Sequence, residues 1–336
     1  MKKCVICDSS RVRKIIGWSE YTIHKCNDCK LIFASPLPSD DILSDYYQGF
    51  MFNKPTQSEI SKQIEKRKKE LKKLFSLESE PQSKNFLDFG GGTGSAYKAA
   101  CELNMKVYYQ DLDEEAKSFV KEQYGLIDDF IIDNITDSEV TFDYIFSDNV
   151  IEHLKNPIEY ITEMKRVLNN NGEIVIKTPH GMNTESFFIP LVTVRVYFFK
   201  SLKNNSLLNA IKSYFLRFWH CDPPRHLFSF SKPNLKITAL KAGFDESEIE
   251  ISHYNIPFLR YSLTELFFNF RRSRNLKSKI LRLIILPIIP FEVLSRVLQT
   301  ILLSLKILTP GGIILKLKKS SRQRKTSPLN PSQNRA

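Results

Sequence analysis

A glycine-rich turn between a predicted strand and a predicted helix constrains the fold of this 336-residue chain more than any other feature. The strand covers residues 85–89, the helix covers 95–103, and Gly90-Gly91-Gly92-Thr93-Gly94 joins them. Glycines at such a turn let the backbone bend sharply and approach a ligand closely. The nicotinamide fingerprint does not fit, because its third position is neither Gly nor Ala, and no Gly-Lys-Ser/Thr completes a phosphate loop. The pattern that fits is D-x-G-x-G-x-G, formed by Asp88, Gly90, Gly92 and Gly94.

Strand and helix patterns alternate from about residue 85 to residue 255. Further strands are predicted at 106–110, 130–132, 142–147, 173–178 and 249–254, and helices at 113–124, 157–168 and 233–242. This alternation predicts an α/β, Rossmann-like fold, with a mostly parallel sheet and helices on both faces. The second strand ends at Asp111, 17 residues beyond Gly94. A carboxylate there can accept hydrogen bonds from both ribose hydroxyls of a nucleoside, so we predict a nucleoside cofactor.

These motifs resemble the class I S-adenosylmethionine-dependent methyltransferases over about residues 85–255, and at the far end to about 318. The resemblance implies a seven-stranded sheet whose last strand, at 312–317, inserts antiparallel. It implies that the glycine motif wraps the methionine part of S-adenosyl-L-methionine, that Asp111 binds the ribose and that Asp133 lies on the adenine side. The implied cofactor residues are Asp88, Gly90, Gly91, Gly92, Gly94, Asp111, Leu112, Asp133, Asn134 and Asn149.

Residues 142–157 resemble a segment of the ubiquinone-biosynthesis and sugar-methyltransferase branch, which reads Phe-Asp, an apolar run, Glu-His and Asn-Pro. The resemblance places Glu152 and His153 at the carboxyl edge of the fourth strand, where open α/β sheets bind ligands. We expect His153 to act as the general base, because a neutral histidine can take a proton from the acceptor. Glu152 would orient His153 or hold the substrate. The alternative is a histidine that only caps a helix or packs in a loop.

Two further segments are candidates for acceptor binding. Residues 219–231 resemble the Trp…Pro-Arg-His-Leu…Phe-Ser segment of the same branch, which implies a substrate cap over the site at about 180–230. Arg225 and His226 would contact the acceptor there. Residues 36–84 read as a linker and a leading helix, and we expect its Tyr46 and Tyr47 to contact the acceptor as well.

Four of the six cysteines form two Cys-x2-Cys pairs near the N-terminus: Cys4, Cys7, Cys26 and Cys29. The 18 residues between the pairs match a zinc ribbon, in which four thiolates hold one structural Zn2+. We therefore predict a ribbon over residues 1–35, with two unrelated thiol pairs as the alternative. The first residues contain no apolar leader, so we expect a cytoplasmic location.

The ribbon followed by the methyltransferase motifs resembles enzymes of cell-surface glycan and sugar-nucleotide synthesis. Some sugar C-methyltransferases share the ribbon and the Glu-His pair. Val150 stands where those enzymes have a tyrosine, and their second large C-terminal domain is missing here. The methylated atom is therefore open between oxygen, nitrogen and carbon.

The net charge of +12 is concentrated in the C-terminal quarter of the chain, where residues 254–336 hold 16 basic and 2 acidic residues. Because the rest is nearly neutral, nucleic acid is a less favoured partner than a small molecule or a glycan. Charges and prolines interrupt the apolar run 280–308, which disfavours a membrane span. It either packs on the sheet edge, before a last strand and a basic tail at 319–336, or lies on an anionic membrane surface.

The sequence therefore favours a methyltransferase that acts on a sugar, a nucleotide sugar or a lipid-linked glycan intermediate in polysaccharide synthesis. Three alternatives stay open. They are an RNA methyltransferase, a membrane-associated methyltransferase of a quinone-like small molecule, and a scaffold without enzymatic activity.

Overall fold

The computed structural model describes residues 3–47, 55–78, 83–181, 207–218, 220–255 and 286–320. The strands are β1 Val12–Trp18, β2 Tyr21–Cys26, β3 Ile32–Ser35, β4 Asn85–Phe89, β5 Lys106–Gln110, β6 Phe142–Asp148, β7 Leu168–Pro179, β8 Phe228–Ser229, β9 Ile249–Tyr254 and β10 Gly312–Lys318. The helices are α1 Asp40–Tyr47, α2 Gln57–Leu74, α3 Ser95–Cys101, α4 Glu114–Tyr124, α5 Pro157–Arg166, α6 Leu207–Phe218, α7 Lys232–Lys241 and α8 Ile289–Ser304.

The main sheet has the order β5-β4-β6-β7-β10-β9. The first four of these strands are parallel, and β10 is antiparallel to both of its neighbours, β7 and β9. The predicted α/β fold with a mostly parallel sheet is therefore confirmed, and so is the antiparallel insertion of the last strand. This order brings the carboxyl ends of β4, β5 and β6 to one edge, where parallel sheets bind ligands.

The described residues form six strands in this sheet, and the strand predicted at 130–132 is reduced to one isolated bridge. Ile131 pairs in parallel with Tyr109. A single 3-10 turn over Asp128–Phe130 comes immediately before it, so the backbone runs alongside β5 only briefly. The seventh strand that the resemblance implies is therefore not formed in the described part of the chain.

Helices cover both faces of the main sheet. The apolar side chains of α2, Ile60, Ile64 and Leu71, are buried with those of α3 and α4 against one face. Their spacing puts them on one side of the helix, as the sequence predicts. On the other face, α5 and α7 bury Ile161 and Leu235 in a second cluster.

The N-terminal cysteines belong to a small second sheet with the order β1-β2-β3-β8. Its fourth strand comes from residues 228–229, inside the region predicted as the methyltransferase core. The Ala34 amide donates to the Leu227 carbonyl at 2.9 Å, and the Asn234 side-chain amide donates to the Cys29 carbonyl at 3.3 Å. Phe33 and Leu31 are buried in the same cluster as α7. The predicted 1–35 unit is therefore joined to the core by a shared strand and a shared apolar cluster.

Two other regions differ from the sequence prediction. Within the predicted substrate cap at about 180–230, residues 207–218 form helix α6, which is not among the helices predicted from the sequence; positions 182–206 and 219 lie outside the described residues. Of the run 280–308, positions 286–308 are described. Pro290 was expected to break a helix, and it lies at the second position of α8, where its missing amide proton costs nothing. Among the described ranges, no helix is both long and apolar enough to cross a membrane.

Candidate active site

The glycine-rich turn has the backbone geometry that its sequence predicts. Gly90, Gly92 and Gly94 have φ of 68°, 52° and 67°, a region that glycine enters without strain. A Cβ added to Gly90 would lie 2.3 Å from a methyl group of Val150, whereas one added to Gly92 would meet no atom within 4 Å. The protein therefore packs tightly against the turn at Gly90 and leaves free space beside Gly92. A ligand can bind in that space.

Two aspartates hold this turn in place. Asp88 is buried beneath it, and its carboxylate accepts a hydrogen bond from the Tyr97 amide at 2.8 Å. Burial raises the pKa of Asp88 to about 7. Asp111, at the tip of β5, accepts from the Gly92 amide at 2.7 Å and from the Asp113 amide at 2.9 Å. Asp111 therefore lies directly beside the open part of the turn, and Asp88 supports it from below.

The other predicted cofactor residues lie further out around this turn. Leu112 is exposed next to Asp111. Asn149 has φ of 60° and donates to the Asp148 carboxylate at 3.0 Å. Asp133 is largely exposed and contacts Lys117, and Asn134 caps a 3-10 turn. The structure therefore brings Asp111 and the glycines together and leaves Asp133 and Asn134 exposed at the margin.

A cluster of four charged side chains lies at the carboxyl ends of β6 and β7, and the sequence analysis missed it. Arg67 on α2 contacts the Asp148 carboxylate at 2.8 Å, and Lys177 lies 3.3 Å from the same carboxylate. Glu70 lies 2.8 Å from Arg67 and 2.5 Å from Lys177. These cations hold the pKa of Asp148 below its ordinary value despite burial. Arg67 belongs to the predicted leading helix, and only the tertiary packing turns its side chain inward.

Glu152 and His153 follow β6 in a single 3-10 turn. Glu152 is 2% exposed, and it accepts a hydrogen bond from the Thr178 hydroxyl at 2.9 Å. Its other oxygen, Oε1, is buried and has no hydrogen-bond partner among the described residues. Burial raises the pKa of Glu152 to about 8, so this carboxyl is protonated at pH 7.

The hydrogen bonds of His153 fix which ring nitrogen carries the proton. Nδ1 lies 2.7 Å from the Arg225 carbonyl oxygen, and the Tyr47 hydroxyl lies 2.9 Å from the same nitrogen. A carbonyl can only accept, so Nδ1 must donate, and Nε2 then keeps its lone pair. Nε2 lies 3.9 Å from Oε1 of Glu152. Burial lowers the pKa of His153 to about 3, so the ring is neutral, as a general base must be.

The predicted acceptor residues gather around this histidine. The His226 and His153 rings lie 4.8 Å apart, and His226 contacts Asp222 at 2.7 Å. The Arg225 guanidinium also contacts Asp222, at 2.9 Å, while its backbone carbonyl orients His153. Tyr47 packs edge-on against His153, and Tyr46 packs against Tyr47. The ligand atoms of Glu152, His153 and His226 lie within 4.8 Å of one another, so an acceptor hydroxyl or a metal ion could bridge them.

The four N-terminal cysteines form a second candidate ligand site. Their sulfurs lie within 4.8 Å of one another, and the Cys4–Cys29 and Cys7–Cys26 pairs are 3.5 Å apart. Tetrahedral Zn–S bonds of 2.3 Å would separate two sulfurs by about 3.8 Å. After each pair, Asp8 and Lys30 have φ of 58° and 65°, so the two knuckles turn alike. The cysteine positions fit one structural Zn2+.

Comparisons with solved structures find methyltransferases that resemble this chain distantly. The phosphoethanolamine N-methyltransferase 2 of Haemonchus contortus, solved with S-adenosyl-L-methionine, is similar at 14% identity and a TM-score of 0.47, covering 92% of this chain and 71% of its own. A SAM-dependent methyltransferase from Archaeoglobus fulgidus is similar at 14% identity and a TM-score of 0.42, covering 76% of this chain and 94% of its own. Such distant likenesses do not assign a substrate.

The sequence comparisons identify the family to which this chain belongs. No curated protein sequence matches the chain. A family model described as a methyltransferase domain matches residues 61–248, which is more than half of the chain and includes the glycine turn, Asp111 and His153. This chain therefore belongs to the methyltransferase domain family and is an S-adenosylmethionine-dependent methyltransferase.

Proposed function

We propose that this enzyme methylates a sugar, a nucleotide sugar or a lipid-linked glycan intermediate of cell-surface polysaccharide synthesis, with His153 as the general base. The observation that carries the proposal is the placement of two features at one sheet edge. The glycine turn follows β4, and Glu152 and His153 follow β6, the neighbouring strand. A donor held at the turn and an acceptor held at His153 would therefore meet.

The residues around the glycine turn suit S-adenosyl-L-methionine. The open space above Gly92 can hold the methionine part of the cofactor. The Asp111 carboxylate, which accepts from the Gly92 amide here, can accept hydrogen bonds from the ribose hydroxyls when the cofactor binds. Arg67 and Lys177, which are paired with Asp148 and Glu70, are the cations that could contact the methionine carboxylate. When bound, the cofactor supplies an electrophilic methyl group.

The protein's own part in the reaction is to position the acceptor and to remove its proton. Nε2 of His153 can accept a proton from an acceptor hydroxyl or amine while the Arg225 carbonyl keeps the ring oriented. Glu152, protonated and with Oε1 unpaired, can donate a hydrogen bond to the acceptor. Both side chains are buried, so the site excludes water while the methyl group moves.

The sugar or glycan acceptor is supported by the sequence alone. The cysteine ribbon, the Glu-His pair and the Pro-Arg-His-Leu segment occur together in methyltransferases of glycan and sugar-nucleotide synthesis, which this chain resembles. RNA is the second candidate acceptor class, and a quinone-like small molecule is the third. A zinc ion in the ribbon belongs to the same proposal, because the four sulfurs have suitable spacing.

One experiment separates these acceptors. The enzyme is incubated with methyl-labelled S-adenosylmethionine and a cell extract divided into nucleotide-sugar, lipid and RNA fractions. We expect label in the nucleotide-sugar fraction or in the saccharide part of the lipid fraction. Label confined to RNA, or to lipid without saccharide, would refute the proposed acceptor. Calorimetry with S-adenosylhomocysteine tests the cofactor separately, and an absence of binding would favour the non-enzymatic alternative.

We further propose that the C-terminal segment holds the enzyme at the cytoplasmic face of an anionic membrane. Helix α8 exposes apolar side chains, of which Phe291 is 73% and Leu294 is 66% exposed. Apolar helix faces flanked by basic residues bind membrane surfaces by burying the former and attracting anionic lipids to the latter.

A further inference from the structure

A cavity of about 280 Å³ lies between the small sheet, the end of β7 and the start of α7, apart from His153 and the glycine turn. None of the residues that line it is acidic. The polar and charged side chains in its wall come from all three elements: Lys25, Lys30, His180, Ser229 and Ser231. A cavity with this lining is suited to a negatively charged ligand.

Strand pairing explains why these side chains converge. Lys25 on β2 pairs with Ile32 on β3, and Ile32 pairs with Ser229 on β8. Residues directly opposite one another point to the same face of a sheet, so the three side chains form one row. Further along β2, Ile23 on this face packs against Leu216 of α6. The cavity therefore lies on this face of the small sheet, beside helix α6.

Two lysines give the cavity a positive charge. Burial, together with the positive charges of Arg13 and Lys30, lowers the pKa of the Lys25 ammonium. Helix α7 begins at Lys232 with Ser231 as its N-cap, so the positive end of its dipole points toward the same space. An anion would relieve the repulsion between these groups, and a helix N-terminus is a common binding place for phosphate.

Ser229 gives an independent sign of a ligand. Its side chain is 3% exposed, and its hydroxyl Oγ has no hydrogen-bond partner among the described residues. An added Cβ at Gly181 would lie 1.7 Å from this oxygen, so only glycine leaves the hydroxyl room there. A buried hydroxyl without a partner destabilises the fold, and a hydrogen bond to a ligand oxygen in the cavity would remove that penalty.

The cavity is connected by short chain segments to the proposed catalytic residues. Ser229 follows His226 by three residues, a distance of at most about 10 Å along the chain. His180 lies two residues after Thr178, whose hydroxyl donates a hydrogen bond to Glu152. The cavity wall at Ser229 therefore lies within about 10 Å of the His226 backbone, a separation that a single acceptor molecule can span.

We propose that this cavity binds a phosphate or diphosphate group carried by the methyl acceptor, with Lys25, Lys30 and the Ser229 hydroxyl as its contacts. The inference rests on the proposed function and narrows it to acceptors that bear phosphate. Nucleotide sugars and lipid-linked glycans both meet that requirement.

Binding of inorganic pyrophosphate to the full chain tests the cavity without any acceptor. By calorimetry, we expect Lys25→Gln combined with Lys30→Gln to weaken pyrophosphate binding by about tenfold or more, because charge-assisted contacts are lost. Lys14→Gln is the matched control, since Lys14 is exposed on the same small sheet. Ser229→Ala should weaken binding more mildly. Equal pyrophosphate binding by the double variant and the control would overturn the proposal.

Two further measurements distinguish a failure of the cavity proposal from a failure of the proposed function. Binding of S-adenosylhomocysteine should be unchanged in all these variants; its absence in the wild type would refute the proposed function and leave the pyrophosphate result standing. Treatment of the extract with a nucleotide pyrophosphatase, which cuts the diphosphate bond, followed by a phosphatase, which removes the exposed phosphate, should abolish uptake of labelled methyl. If pyrophosphate binds but treated extract takes up label as before, the cavity holds free phosphate ion, and its assignment to the acceptor is wrong.

Discussion

In water at a mildly acidic pH a histidine is protonated and a glutamate is ionised. In the folded protein both His153 and Glu152 are uncharged. Burial favours the uncharged form of both, so the pKa of the histidine falls to about 3 and that of the carboxyl rises to about 8. At pH 7 the pair is therefore a neutral base beside a neutral acid. Such a pair can take one proton at His153 and offer a hydrogen bond from Glu152, so that a single buried charge forms.

We expect His153→Ala to reduce turnover by about 10²-fold or more, because the general base is lost. Binding of S-adenosylhomocysteine, measured by calorimetry, should stay within about twofold, since His153 bonds to Tyr47 and Arg225 and not to the glycine turn. His153→Gln separates basicity from position, because it can keep a hydrogen bond to the Arg225 carbonyl but cannot accept the proton. A His153→Gln enzyme with wild-type turnover would remove His153 from the proton transfer.

The raised pKa of Glu152 predicts a pH-dependent stability. The folded state holds this proton up to about pH 8, whereas an unfolded glutamate releases it near 4.5. The folded state therefore binds more protons between these values, so its stabilisation by Glu152 is complete below about pH 4.5 and is lost as the pH rises to 8. Glu152→Gln cannot titrate. Between pH 5 and pH 8, we expect its melting temperature to rise relative to wild type by roughly 5 °C. A constant difference across this range would contradict the prediction.

At the scale of elements, the small sheet is tied to the catalytic region through β8. Strand β3 pairs with residues 228–229, two positions after His226, and the Leu227 amide donates to the Glu152 carbonyl at 2.9 Å. Any change that loosens the cysteine knuckles should therefore reach His226 and Glu152 through β3 and β8. The small sheet therefore supports the positions of the proposed catalytic residues, with or without a bound metal ion.

We expect Cys4→Ser to release zinc and to lower the melting temperature by about 10 °C or more, since structural zinc contributes several kcal/mol to folding. Cys101→Ser is the matched control, because Cys101 lies on α3 outside the cysteine cluster. Zinc is counted by elemental analysis of the purified protein. If both variants and the wild type contain the same amount of zinc, or none, the ribbon prediction is wrong.

Prediction from sequence succeeded best for elements whose pattern is local. Helix α4 was predicted at 113–124 and is found at Glu114–Tyr124, because Asp113 caps its start and Gly125, with φ of 72°, ends it. The prediction of a strand at 130–132 was wrong, because strand formation depends on a partner strand that the local pattern does not specify. Helix α6 was missed, because the aromatic-rich region around it does not show a clear helical period.

At the scale of the whole molecule, charge and apolar surface are unevenly distributed. The described part of the C-terminal quarter contains α8, with an exposed apolar surface, and β10, which is buried in the main sheet. The basic cluster at 271–282 lies outside the described residues. Its proximity in sequence to α8 underlies the membrane proposal.

We expect the protein to float with anionic vesicles at low salt, and binding to drop about tenfold or more when the basic cluster is neutralised, since each basic residue contributes about 1 kcal/mol. The residues changed to Gln are Arg271, Arg272, Arg274, Lys277, Lys279 and Arg282. The matched control neutralises the exposed lysines of α2, which are Lys62, Lys66, Lys69, Lys72 and Lys73. An absence of wild-type flotation at low salt, or equal losses in both variants, would exclude the proposed attachment.

The sequence by itself determined the α/β class, the glycine turn and the residues proposed for chemistry, because strand-turn-helix patterns and glycine conformations depend on neighbours along the chain. The tertiary structure decided which distant residues meet. It turned Arg67 toward Asp148, fixed the His153 tautomer through the Arg225 carbonyl, and formed the cationic cavity from Lys25, His180 and Ser229. These contacts depend on burial and on strand order, and no local pattern in the sequence specifies either.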